Sequence, residues 1–179
     1  MRRGELCALR WQDVDLDGGL LRVEQSLEQT RKSGLRFKPP RSARGRRTIS
    51  LSPVVVAELR THGKAQQEQR LSLGLGKAPA DSLVFANWDG TPRLPNGLTK
   101  EFKGAMKAAG LAHIKLHALR HTHASRLILS GMDILTLSRR LGHSAAAITL
   151  TVYGHLLSPQ DRAAEIMEAT LPGSMGTEP

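Results

Sequence analysis

The chain has one tyrosine in 179 residues, Tyr153, and the residues spaced around it suit a nucleophile. Tyr153 lies ten residues after His143 in Leu141-Gly142-His143, and 33 after Arg120 in His117-Ala118-Leu119-Arg120. On a helix, His117 and Arg120 share one face, a turn apart. At the other end of the chain, Arg2-Arg3 precedes Gly4-Glu5. A hydroxyl with guanidiniums and imidazoles around it is what attack on a phosphodiester needs in the absence of a metal. Taken singly, each residue has a plainer reading. A lone tyrosine packs half-buried, a histidine after a helix-ending glycine caps or faces solvent, and Arg2 with Glu5 is a weak helix ion pair. The chemistry therefore depends on a fold that brings these segments together.

His121 stands four residues after His117, a spacing that suggests a metal. The zinc signature also needs a glutamate beside the first histidine and a third ligand, and Ala118 occupies the glutamate position. No metal site is read from this pair. Cys7 is the only cysteine, which excludes an intrachain disulfide and a cysteine-based zinc site. No apolar run approaches the ~18 residues needed to span a membrane. The expected location is the cytoplasm.

Net charge is +10, from 26 Lys and Arg against 16 Asp and Glu, which favours a polyanionic partner such as nucleic acid. The charge concentrates between residues 31 and 47, where Arg31, Lys32, Arg36, Lys38, Arg41, Arg44, Arg46 and Arg47 occur without one acid. A solvated hairpin is the plain reading of such a run; the absence of acids favours docking on a phosphate backbone, with all eight as candidate DNA contacts.

The elements that must position these residues are mostly helices. Aromatics are 3% of the chain, so Leu, Ala, Val and Ile must build the core. Helix-forming composition covers residues 3–10, a turn follows at 13–19, and alternation over 20–28 predicts a strand. Residues 31–36 read as a hairpin tip and 46–51 as another strand. Ser52-Pro53 starts a helix to about Leu73. Further helices are predicted over about 96–109, 117–130, 134–141 (capped by Asp133 and ended by Gly142), from Ser144 to Tyr153, and over about 159–169. Residues 171–179 read as a disordered tail. The fold class is α+β, mainly α-helical, with one small antiparallel β-sheet.

The order Arg-x-Gly-Glu, basic hairpin, His-x-x-Arg, Leu-Gly-His and, ten residues on, Tyr resembles the catalytic domain of the tyrosine recombinases, the phage integrase family. Residues 2–15 are similar to the family's first box. Residues 117–125 and 141–155 are similar to its second. The resemblance implies a tyrosine-recombinase-like catalytic domain over residues 1–170. It also implies that the chain is N-terminally truncated, lacking that domain's first helices and a separate N-terminal DNA-binding domain.

For function, the resemblance implies site-specific recombination of double-stranded DNA, as in phage or mobile-element integration, with no cofactor. Tyr153 would attack the scissile phosphate to form a 3′-phosphotyrosyl link. Arg2 and Arg120 would neutralise the phosphate, His117 would assist proton transfer, His143 would hydrogen-bond the phosphate, and Glu5 would support them. Nearby guanidiniums are expected to favour the Tyr153 phenolate. The family's general-acid lysine falls at Arg41 here, in Pro40-Arg41-Ser42. Either Lys38 serves through a register change, or Arg41 only stabilises the leaving oxygen, since arginine is a poor acid.

Family members assemble as homotetramers on DNA, and the predicted helix 159–169 would either dock on a neighbour or pack on its own domain. A catalytically silent DNA-binding remnant and a type IB topoisomerase-like enzyme are the rival readings. In a bacterial host the expected place of action is the nucleoid.

Overall fold

The computed structural model describes residues 1–30, 34–40, 43–111 and 113–157. The expected helix 159–169, the tail 171–179, and Arg31, Lys32 and Arg41 lie outside the described residues. The element order is α1 (Arg3–Cys7), β1 (Val14–Asp15), β2 (Leu20–Val23), β3 (Ser26–Thr30), β4 (Gly34–Lys38), β5 (Arg47–Ser50), α2 (Pro53–Ser72), α3 (Pro95–Ala108), α4 (Leu116–Leu129), α5 (Ile134–Leu141) and α6 (Ala146–Tyr153).

The first helix is shorter than its composition suggests. After Ala8 the chain turns extended, because Leu9 to Trp11 pairs with residues 82–84. The Val84 amide donates to the Leu9 carbonyl (2.8 Å) and the Trp11 amide to that of Ser82 (2.9 Å). This pairing places Leu9 and Val84 in one core with Leu21, Val23, Ile49 and Leu59. The gain from burying these side chains outweighs the few helical hydrogen bonds forgone.

The strand expected over 20–28 divides in two, which corrects the single expected sheet. β2 lies between β1 and β5, antiparallel to both, with Leu21 opposite Ile49 and Val23 opposite Arg47. Among the described residues β3 pairs only with β4, in register Ser26 to Lys38 and Glu28 to Arg36. At the break, the Gln25 side chain donates to the Ala8 carbonyl (2.9 Å). The alternation continues across it: Leu21 and Val23 enter the first core, while Leu27 enters a second with Cys7 and Ala8. One periodic stretch thus serves two sheets.

The helices agree closely with the pattern in the sequence. Pro53 opens α2, and Asp133 caps α5 by accepting from the Thr136 amide (2.9 Å). α6 begins at Ala146 rather than Ser144. α4, α5 and α6 enclose a third core of Ala124, Ile128, Leu137, Leu141 and Tyr153. Leu137 is fully buried at its centre. Leu137→Ala is expected to cost about 2–5 kcal/mol of stability, read from urea unfolding; a loss below about 1 kcal/mol would mean that this core collapses around the gap.

Candidate active site

The site is built on the C-terminal end of α5. The last carbonyls of any helix lack partners inside it and carry the negative end of its dipole. Gly142, in the left-handed conformation (φ 67°, ψ 44°), turns the chain there. Its own amide and that of His143 satisfy the carbonyls of Arg139 and Ser138. The next three carbonyls all receive arginines. Arg47 Nε donates to Arg140 O (2.8 Å), Arg120 Nη2 to Leu141 O (2.5 Å), and Arg2 Nη2 to Gly142 O (3.0 Å). Three guanidiniums from β5, α4 and the start of α1 are gathered at one helix end.

Glu5 makes this crowding tolerable. It is 3% exposed. Its carboxylate accepts from Arg47 Nη1 (3.0 Å) and Nη2 (2.7 Å), from Arg2 Nη1 (3.1 Å) and from the Arg2 backbone amide (2.6 Å). Burial alone would raise its pKa. The hydrogen bonds and charges of Arg47 and Arg2 outweigh that and hold it down to about 2. Glu5 thus links Arg2 to Arg47.

Arg47 departs from expectation. Counted among the candidate DNA contacts, its side chain is 5% exposed and committed to Glu5 and to the end of α5. The reason is strand parity: Arg47 lies two residues before buried Ile49, and so points to the same inner face.

Arg120 is pulled below the ordinary arginine range, to about 10, first by burial and then by Arg2 and Arg47. Its Nη1 is buried with no hydrogen-bond partner among the described residues. A guanidinium edge left unpaired in this way is costly, and an anion beside it would remove the cost.

Tyr153 ends α6 and is 4% exposed. Burial raises its pKa and Arg120 opposes the rise only in part, so the phenolate expected from nearby guanidiniums is not favoured in the unliganded site. Its hydroxyl is 2.8 Å from Nδ1 of His121. His117, one turn earlier on α4, meets His121 edge-on, with ring centroids 4.8 Å apart. His143 Nδ1 is 2.8 Å from Oγ1 of fully buried Thr149. Burial, and then Arg120, Arg2 and Arg47, push His143 down to about 4, so its ring is neutral at neutral pH.

A cleft of about 1050 Å³ runs between the β3–β4 hairpin and these helices. Arg2, Glu5, Lys38, His117, Arg120, His143 and Tyr153 all line it. Every candidate catalytic residue within the described part of the chain is therefore brought together. A second cavity, of about 970 Å³, shares Arg3, His117 and Arg120 with the cleft; Leu6, Leu21, Ile49, Phe102 and Ile114 make its floor largely apolar, and Lys103, Lys115 and Arg140 also line it, while Tyr153 does not.

Lys38 ends β4 and forms an ion pair with Glu28 of β3. Arg36, Arg44 and Arg46 are exposed. Arg46 lies 3.7 Å from Glu24, and Arg44 donates to the Ser144 carbonyl beside His143 (2.6 Å). The residues that sequence reasoning missed are His121 and Thr149. His121 carried one signal, its place a turn after His117 on the face of Arg120, but that spacing suggested only a metal.

The carboxylate at the centre gives a pH-dependent prediction. A depressed pKa contributes stability that is fully present above the ordinary value of 4.5 and is lost as the pH falls to about 2. Glu5→Gln is expected to cost about 3 kcal/mol at neutral pH, with the gap to the parent chain closing on acidification. Urea unfolding across pH measures it; a gap unchanged down to pH 3 would place the effect elsewhere.

The sequence model of the phage integrase family matches residues 1–159. The chain is 30% identical over 170 residues to a XerC-like tyrosine recombinase of Caldanaerobacter subterraneus subsp. tengcongensis, a match covering 89% of this chain and 44% of that protein. It is 32% identical over 157 residues to the ICEBs1 integrase of Bacillus subtilis, covering 87% and 42%. The fold is similar to that of the Tn1549 transposon integrase in complex with transposon right end DNA, at 25% identity and a TM-score of 0.74, covering 94% of this chain and 54% of that one. The chain spans less than half the length of the curated relatives it matches. With the family model covering most of its length and the arginines, histidines and tyrosine meeting in one cleft, the chain belongs to the phage integrase family.

Proposed function

We propose that this chain is the catalytic part of a site-specific DNA recombinase, one that integrates or excises a mobile element by metal-independent transesterification. The observation that carries the reading is a single buried tyrosine facing the same cleft as Arg120, whose Nη1 has no partner among the described residues. A scissile phosphate in the cleft would supply that partner. Arg2 and Arg120 would neutralise its non-bridging oxygens as charge builds in the pentacoordinate transition state. Neutral His143 would donate a further hydrogen bond from its ring nitrogen not facing Thr149. Glu5 would hold the arginines without reacting.

The attack forms a bond from the Tyr153 oxygen to phosphorus and releases the 5′-oxygen, so bond energy is kept in a 3′-phosphotyrosyl link. Resealing onto a partner strand reverses the step. Because exchange joins two duplexes, it needs more than one protomer, and a homotetramer on DNA in the bacterial nucleoid is the assembly proposed. Arg36, Arg44 and Arg46, exposed on the hairpin side, would contact the phosphate backbone. We propose the same for Arg31, Lys32 and Arg41 on sequence alone.

A second reading, a DNA-binding remnant that no longer cleaves, is favoured by the ion pair between Lys38 and Glu28, which ties up the lysine nearest the general-acid position.

A pool of nicked duplexes randomised around the nick separates the two. The parent chain is expected to form a denaturant-stable protein–DNA adduct, lost in Tyr153→Phe and reduced roughly 10²–10³-fold in Arg120→Ala. Binding without adduct would favour the remnant. Joining of two different duplexes, as against relaxation of supercoils alone, separates recombination from topoisomerase action. A 5′-bridging phosphorothioate, whose leaving group needs no acid, is expected to restore cleavage in Lys38→Ala; failure to restore it would remove Lys38 from the acid role.

A further inference from the structure

The Tyr153 hydroxyl has one polar side chain within hydrogen-bond distance among the described residues, and it is His121 rather than His117. Nδ1 of His121 is 2.8 Å from the phenolic oxygen. The rings are tilted at 49°, with centroids 5.8 Å apart. His117, the histidine singled out by the His-x-x-Arg motif, touches the His121 ring edge-on and makes no hydrogen bond to Tyr153. The geometry points to His121 as the group that takes the proton from Tyr153 as it attacks, and that returns it when the strand is resealed. This rests on the reading of Tyr153 as the nucleophile.

The placement has a structural origin. His121 follows Arg120 directly on α4, so the helix that anchors Arg120 on the Leu141 carbonyl also aims the next side chain at the end of α6. Tyr153 is fixed in turn by packing against Ala124, Ile128, Leu137 and Leu141, which stops its ring from swinging off the imidazole. Burial keeps the phenol protonated, so attack requires a base within reach at the moment the bond to phosphorus forms. His143 makes no hydrogen bond to the Tyr153 hydroxyl; its Nδ1 faces Thr149, and its other nitrogen is the one assigned to the phosphate. His121 is exposed, so it can exchange the proton with solvent.

In the step, the O–H bond of Tyr153 breaks and its proton moves to Nδ1 of His121. The oxygen pair forms the bond to phosphorus. The bond from phosphorus to the 5′-oxygen breaks, and that oxygen takes a proton from a cationic side chain of the hairpin or from water. Resealing runs the same transfers backwards, with protonated His121 returning its proton to the departing phenolate. His117 then has a positioning role, holding the His121 ring.

The test is single-turnover adduct formation on the randomised nicked-duplex pool, with DNA binding measured in parallel. His121→Ala is expected to slow adduct formation by about 10²–10⁴-fold while binding stays within about twofold. Added imidazole is expected to restore the rate, more strongly as the basicity of substituted imidazoles rises. An adduct rate in His121→Ala within about threefold of the parent would overturn the inference. So would recovery of the rate in His121→Gln without any rescue by imidazole, which would make the residue a spacer for the ring. A parent chain that binds the pool but forms no adduct would instead overturn the nucleophile reading itself, and the His121 role with it.

Discussion

Three arginines converge on three successive carbonyls at the end of α5, and this arrangement costs energy unless something counters it. Like charges held together in a partly buried place repel, and each guanidinium has lost water. Two features compensate. The helix end offers partial negative charge from carbonyls that would otherwise be unpaired, and Glu5 supplies a full one, shared between Arg2 and Arg47. Neutralisation is incomplete, since Nη1 of Arg120 keeps no partner among the described residues. A site arranged in this way would be completed by an anion. Stabilisation of a phosphoryl transition state needs this property, because the donors are fixed in place before the charge develops.

The same helix end determines where the other groups stand. Gly142 ends α5 and turns the chain so that His143 enters the cleft, and α6 then packs on α5 and brings Tyr153 against Leu137 and Leu141. Burial of the tyrosine has opposite effects on geometry and reactivity. It fixes the ring, and it makes the phenol harder to ionise. A neighbouring imidazole would reconcile the two in the proposed reaction, because the proton would need to leave only during attack. The site thus keeps the Tyr153 phenol protonated, and Arg120, which would favour the phenolate, offsets only part of the burial effect.

Much of this was legible in the sequence because it is local. Helix ends at Asp133 and Gly142, the Pro53 start of α2, and the shared face of His117 and Arg120 follow from capping and from a period of 3.6 residues. Strand parity was legible too, and went unused: Arg47 two residues before Ile49 has to face inward, whatever its charge suggests. Alternation over 20–28 was continuous, yet the chain divides it between two sheets. Periodicity reports which face of a strand is buried, and it is silent on which neighbour does the burying.

By itself the sequence determined the cast and its local geometry: one tyrosine, the arginine and histidine motifs at fixed spacings, a basic hairpin, and helices with readable ends. These depend on contacts within a turn or two of chain, where residue type and spacing suffice. Tertiary structure alone decided the partnerships. That His121 rather than His117 meets Tyr153, that Glu5 binds Arg47 across 42 residues, and that Lys38 is paired with Glu28 depend on how helices and strands pack. Such pairs are set by the burial of apolar side chains elsewhere on the same elements, and spacing along the chain carries no record of them.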